Sequence, residues 1–225
     1  CFYLDGVQLQ SSAATSSRGV LTNNGNSAGG EHRISNCIIR GAKADGIYSS
    51  SGLVKINNCI LYSNARGVRV TNEYSTPNVY IENTTIINST TYGLQRDASG
   101  NVYVKNTYSG GSGTSDYDGT ITFTTSMSSD ATDRTGVTKS IAVNTTNFTN
   151  VTSDSENLLL PSGSALINAG TDLTSDTGWF LSAVDIDGTT RTGTWDIGAD
   201  EYVASGPSIH TTILRNAIIR NAIIQ

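Results

Sequence analysis

The stretch "KINNCILYSNARGV", residues 55–68, alternates apolar and polar side chains, halts at two asparagines, resumes, and halts again before a glycine. A spacing of two points to strands and not to a helix. Strands this short need a corner between them. Asparagine makes one, because its short amide tolerates left-handed backbone and bonds neighbouring main chain.

The pattern returns along the chain. "HRISNCIIRGAKADGIYSS" (32–50) lies over "VKINNCILYSNARGVRVTN" (54–72), over "VYIENTTIINSTTYGLQRD" (79–97), and over the start of "VYVKNTYSGG" (102–111). The marker asparagines are Asn36, Asn58, Asn83 and Asn106, spaced by 22, 25 and 23 residues. Glycines keep step at Gly46, Gly67 and Gly93, each followed by an apolar residue, and a looser copy places Gly6 and Gly19 at the same two positions. Each copy reads as three short strands, with Val54, Ile56, Cys59 and Leu61 on the inner side. One copy cannot bury its apolar face alone, but stacked copies can. The expected fold is all-β: a single-stranded right-handed parallel β-helix, three short strands per coil, with an asparagine ladder along one corner. Residues 1–146 are assigned to coils with loop insertions at 109–119 and 126–140. Residues 147–204 are assigned to a C-terminal coil or cap, and 205–225 to an apolar tail.

Composition agrees. Only 15% of residues are charged, 23 are glycine, and the net charge is −5. With no basic cluster, nucleic acid is not an expected partner. No apolar run is long enough to span a membrane as a helix. Cys37 and Cys59 are expected on adjacent coils as buried free thiols. The first residues already lie in a strand pattern, so the chain is taken as processed or incomplete, with any export signal upstream.

The coils resemble the pectate-lyase-like superfamily of parallel β-helices over roughly residues 2–110. "SALINAGTD" and "DIDGTTRTGTWDIGADEY" resemble the closing segment of secreted β-helix proteins of the choice-of-anchor kind, through Ser164, Asn168, Gly170, Asp185, Asp187, Gly188, Arg191, Asp196, Gly198 and Glu201. Two readings compete for the acids there. Asp185, Asp187 and Asp196 with Glu201 supply hard oxygen ligands for Ca²⁺. Alternatively Arg191 bridges Asp185, Asp187, Asp196 and Glu201 as a structural cap over the last coil, and this is preferred because the loop lacks an EF-hand's length and terminal Glu. No other cofactor is expected.

Parallel β-helix enzymes act on polysaccharides at an outer strand face, and glycoside hydrolysis there needs two carboxylates. The outward columns of the first strand read Arg33, Lys55, Tyr80, Tyr103 and Ser35, Asn57, Glu82, Lys105. Glu82 has no acidic companion in them, so Lys55, Glu82 and Lys105 read as mutually compensating charges on a solvated face. An enzyme would use Glu82 with Lys55, Lys105 or Arg33, or loop acids such as Asp130, Asp133, Asp154 and Glu156. Tyr80, Tyr103, Tyr48 and Arg69 are candidates for glycan contact. His32 and His210 have no metal-ligand spacing.

The tail "IHTTILRNAIIRNAIIQ" carries Ile213, Leu214, Ile218, Ile219, Ile223 and Ile224 and no acid. Such a segment must be covered, by its own coils or by a neighbouring subunit. The expected role is therefore a non-catalytic, self-associating β-helix module of an extracellular structure, such as a filament, a cell-surface stalk, or a virion spike or fibre. A carbohydrate-active β-helix enzyme is the alternative.

Overall fold

Each sequence copy folds as a strand triplet, and the triplets stack. The computed structural model describes residues 2–11, 15–23, 30–97, 99–152, 155–176, 182–204 and 218–220. The first triplet is β1 (Tyr3–Asp5), β2 (Gln8–Gln10) and β3 (Val20–Thr22). Next come β4 (Glu31–Ser35), β5 (Ile38–Arg40) and β6 (Asp45–Ser49), then β7 (Leu53–Asn57), β8 (Ile60–Tyr62) and β9 (Arg66–Val70). Above them lie β10 (Asn78–Glu82), β11 (Thr85–Ile87) and β12 (Tyr92–Arg96), then β13 (Asn101–Lys105), β14 (Tyr108–Gly110) and β15 (Ser115–Asp118). The stack finishes with β16 (Thr122–Thr124), β17 (Ser126–Ser128) and β18 (Val137–Thr138), and β19 (Ile218–Arg220) belongs to the tail.

Like strands of successive triplets pair in parallel, and the described residues contain no helix. Three sheets result. The first runs β1-β4-β7-β10-β13-β16, the second β18-β17-β14-β11-β8-β5-β2-β19, and the third β15-β12-β9-β6-β3. Val54, Ile56, Cys59 and Leu61 all face the inner core, as do their equivalents one coil away, and Cys37 and Cys59 are buried and unbridged.

The corners explain the repeat. Gly6, Asn36, Asn58, Asn83 and Asn106 all have positive φ, with the four asparagines between 44° and 52°. The Asn58 amide donates to Asn36 Oδ1 at 3.3 Å, and that of Asn106 to Asn83 Oδ1 at 3.1 Å. The ladder breaks between Asn58 and Asn83. There Arg191 Nη2 occupies Asn58 Oδ1 at 3.4 Å, and the buried Asn83 amide nitrogen has no partner among the described residues. A second left-handed column, Gly41, Ser63, Asn88 and Gly111, closes the far end of the second strand.

The glycines before the third strand answer to a different constraint. A Cβ on Gly46 would lie 2.6 Å from the Gly67 carbonyl oxygen, and one on Gly67 would lie 2.5 Å from that of Gly93. Backbones pass too closely there for any side chain.

Two expectations change. Residues 109–119 and 126–140 are not loops throughout, because they hold β15, β17 and β18; residues 129–136, between β17 and β18, form an irregular and largely exposed excursion. The Asp116 carboxylate, fully buried, draws in Ser112 N, Ser128 Oγ, Ser129 N, Ser129 Oγ and Asp130 N. Tyr117 fills the core position of Leu94 and donates its hydroxyl to Thr107 and Met127 carbonyls. The segment 147–204 also lies along the flank of the stack and not across its end, bonding the corners at Asn58, Thr85 and Asn106 and, through Thr171, Thr125 of the last coil. In the tail, β19 adds in parallel to β2 of its own chain. Ile213, Leu214, Ile223 and Ile224 lie outside the described residues.

Thr125 occupies the asparagine column in the last coil at φ 50°, a conformation that is costly for a β-branched residue. Thr125→Asn is expected to stabilise the protein by about 1 kcal/mol. A lower midpoint than wild type in urea denaturation would contradict this.

Candidate functional site

Two outer faces of the stack concern function: the second sheet beneath the C-terminal segment, and the first sheet beside it. Ile60, Tyr62, Ile87, Tyr108 and Met127 point out of the second sheet, yet they are buried. Phe148, Leu158, Leu160, Leu166, Ile186 and Ile197 cover them and form a second apolar core. Tyr108 meets Phe148 edge-on at 5.2 Å and donates its hydroxyl to the Ile141 carbonyl at 2.7 Å. The strand text carries a trace of this face: "ILY" and "TII" hold no charged residue on either side, as strands covered on both faces do.

The charged end of the C-terminal segment is held together internally. Arg191, 3% exposed, donates through Nη1 to Glu201 Oε2 at 3.0 Å and through Nη2 to the Gly198 carbonyl at 2.9 Å. Asp185 accepts the amides of Asp187, Thr189 and Glu201, while Asp196 accepts those of Asn168 and Tyr202. Burial raises the carboxyls of Asp185, Asp196 and Glu201 against the opposing pull of Arg191. Burial likewise brings Asp200 to about 7. Among the described residues no group of three or more His, Cys, Asp or Glu is placed to hold a metal ion.

The first sheet corrects the picture of a solvated charged face. Glu82 is 1% exposed, and neither carboxylate oxygen has a hydrogen-bond partner among the described residues. Burial, then the nearby Asp176 carboxylate, raises it to about 7, against Lys105, Lys55 and the neighbouring Asn57 amide. Lys105 is ion-paired with Asp176 of the covering segment. Lys55 and Arg33 both reach Glu31, so three of the four residues considered for catalysis pair elsewhere than with Glu82. Glu31 escaped the sequence reading because it precedes the columns as counted from Arg33.

Of the glycan candidates, Tyr80 and Tyr103 stand in register on adjacent strands, their half-buried rings stacked at 5.1 Å and 9°. Tyr48 is buried instead of projecting freely. Arg18 covers its ring at 3.9 Å, Arg69 lies 5.6 Å from it, and its hydroxyl donates to Glu73 Oε2 at 2.6 Å. Arg69 itself pairs with Asp97.

Among the described residues the loop acids have separate partners or surroundings. Asp130 accepts Ser115 Oγ and Asp116 N, Asp133 pairs with Lys139, and Asp154 lies outside the described residues, as does His210. Glu156 lines a cavity of about 290 Å³ between the C-terminal segment and the first coils, with Val7, Ile38, Ile60, Tyr62 and Leu158. His32 sits in the core against Phe2, ring centroids 4.7 Å apart.

Comparison with protein-family models, with curated proteins and with solved structures gives no match for this chain.

Two outcomes are expected. The folded state holds the Glu82 proton more tightly than the unfolded chain, whose value is near 4.5. Ionisation of Glu82 therefore destabilises the fold progressively as pH rises from 4.5 to about 7, by on the order of 3 kcal/mol in all. Glu82→Gln is expected to raise the urea midpoint at pH 8 and to leave it nearly unchanged near pH 4.5; an equal effect at both would refute the assignment. Arg191→Met leaves buried carboxylates without their cation and is expected to cost about 3 kcal/mol. It should also make the C-terminal segment more sensitive to limited proteolysis, and unchanged digestion would show that the segment is held without Arg191.

Proposed function

We propose that this chain is a non-catalytic structural module of an extracellular assembly (a filament, a cell-surface stalk, or a virion spike or fibre), in which copies associate through the ends of the solenoid. One observation carries the reading. After β18 the chain leaves the stack and turns along its flank, so the inner-core residues Ile121, Phe123 and Val137 of the last coil stay only half-buried. Phe2, Leu4 and Val7 of the first coil are half-buried in the same way. The parallel strands β16 and β18 of the last coil stand at sheet edges, and a second copy stacked there would extend those sheets and cover that apolar surface.

The outer faces support a passive role. The second sheet is sealed by the C-terminal segment, Glu82 is shut from solvent, and the carboxylates of Glu31, Asp45 and Asp97 are each engaged by arginine. We assign any glycan contact to the stacked Tyr80 and Tyr103, as binding without turnover. The coil text and the "DIDGTTR…DIGADE" segment support kinship with pectate-lyase-like β-helices and with the choice-of-anchor type of ending. The reading uses no cofactor.

Static light scattering over a range of concentrations tests the proposal. Mass is expected to rise above that of one chain, and Phe123→Asp is expected to reduce the association at least tenfold. A monodisperse monomer at every concentration overturns it. Release of products from acidic or neutral polysaccharides, abolished by Glu82→Gln, would favour the enzyme instead.

A further inference from the structure

The covering segment brings three ionisable groups together on the first sheet. Glu82 of β10 and Lys105 of β13 are register partners on neighbouring parallel strands, so their side chains leave the same face side by side. Lys105 Nζ meets the carboxylate of Asp176, 71 residues further along the chain. The stretch that presents Asp176 is fixed at three points. The Asn106 side chain bonds both the carbonyl and the amide of Thr171, Leu173 is buried, and the Asp176 amide donates to the Leu173 carbonyl at 2.9 Å. Glu82 stands beside this ion pair, buried, with neither oxygen bonded among the described residues. Burial and the Asp176 charge raise its carboxyl to about 7, so it is able both to give and to take a proton near neutrality. Two other described lysines meet carboxylates in different settings. Lys139 and Asp133 are exposed, and Lys55, which pairs with Glu31, has Arg33 and Tyr80 as its register partners.

We propose that Lys105 and Asp176 condense to an amide, a covalent clamp between the fifth coil and the C-terminal segment, with Glu82 relaying the protons. The bond that forms joins Lys105 Nζ to Asp176 Cγ, and the bond that breaks joins Cγ to one of its two oxygens. Glu82 gives its proton to the Asp176 carboxylate, which makes Cγ electrophilic, and takes one from the Lys105 ammonium, which frees the nitrogen lone pair. After attack, a second nitrogen proton passes by the same route to the departing oxygen. One ammonium and one carboxylate become one amide and one water, Glu82 ends as it began, and the balance needs no other reactant. Two physical effects favour the step. Groups held in contact by a fold react at effective concentrations of about 10⁵ M or more when well oriented. The two side chains are only 17% and 28% exposed, and a neutral amide removes the desolvation cost of holding both charges there. The step occurs once per chain, without turnover, and does not depend on end-to-end association. It would close the chain between residues 105 and 176 into a covalent loop and fasten the C-terminal segment to the stack.

Intact-mass measurement on the full chain, denatured after folding near neutral pH, tests the proposal. Wild type is expected to be one water lighter than its sequence. A tryptic digest is expected to give one branched peptide, uncut after Lys105 and joined to the stretch that holds Asp176. Lys105→Arg keeps the charge and cannot form this amide, so it is expected at full sequence mass. Glu82→Gln is expected to close the bond at least tenfold more slowly than wild type, followed by mass against time after cell-free synthesis. A folded wild type at full sequence mass overturns the inference, as does a lost water that maps to another site. Closure in Glu82→Gln at the wild-type rate overturns it too, because the relay would then be idle. The urea comparison of Glu82→Gln is made in the Lys105→Arg background, where no bond can form, so that ionisation and cross-linking are read separately.

Discussion

Everything in this molecule hangs on a backbone turned left-handed at one corner of every coil. Asn36, Asn58, Asn83 and Asn106 accept that conformation and join in pairs through their amides, so each coil begins its second strand directly above the last. Because the corners superimpose, inward side chains superimpose too. The stacked Ile, Val and Leu columns of the core are a consequence of that alignment. The glycine column imposes a second requirement of another kind: at Gly46 and Gly67 the chain passes so near its neighbour that a side chain has no room.

The C-terminal segment turns an open solenoid into a two-core protein. Without it, a face bearing Ile60, Tyr62, Ile87 and Tyr108 would meet water. Its attachment runs through polar groups already present at the corner: Asn106 exchanges hydrogen bonds with Thr171, Asn58 is held by Arg191 and Val184, and the Ala199 amide donates to Thr85. The asparagine ladder is therefore also the seam. This accounts for its interruption at Asn58, where an arginine from the segment replaces the next amide.

Covering the flank also changes the electrostatics of the first sheet. Glu82 would be an ordinary surface acid on an isolated solenoid. With residues near Asp176 laid beside it, it is desolvated and stands near a second carboxylate, and its proton affinity rises. The raised proton affinity belongs to the packing of segment against coil, and not to Glu82 in its strand alone.

The sequence alone determined the repeat, the asparagine corners, the glycine step and the inward residues, because these depend on spacing along one strand and on what a single residue's backbone tolerates. What the tertiary structure decided was every relation between distant stretches of chain: that Asp116 gathers a Gly- and Ser-rich run into the stack, that Tyr48 is boxed between Arg18 and Arg69, and that the C-terminal segment lies on the flank. Local spacing says nothing about which apolar surface a remote segment will cover. Burial, and with it the charge state of Glu82, is a property of that packing and not of any position in the text.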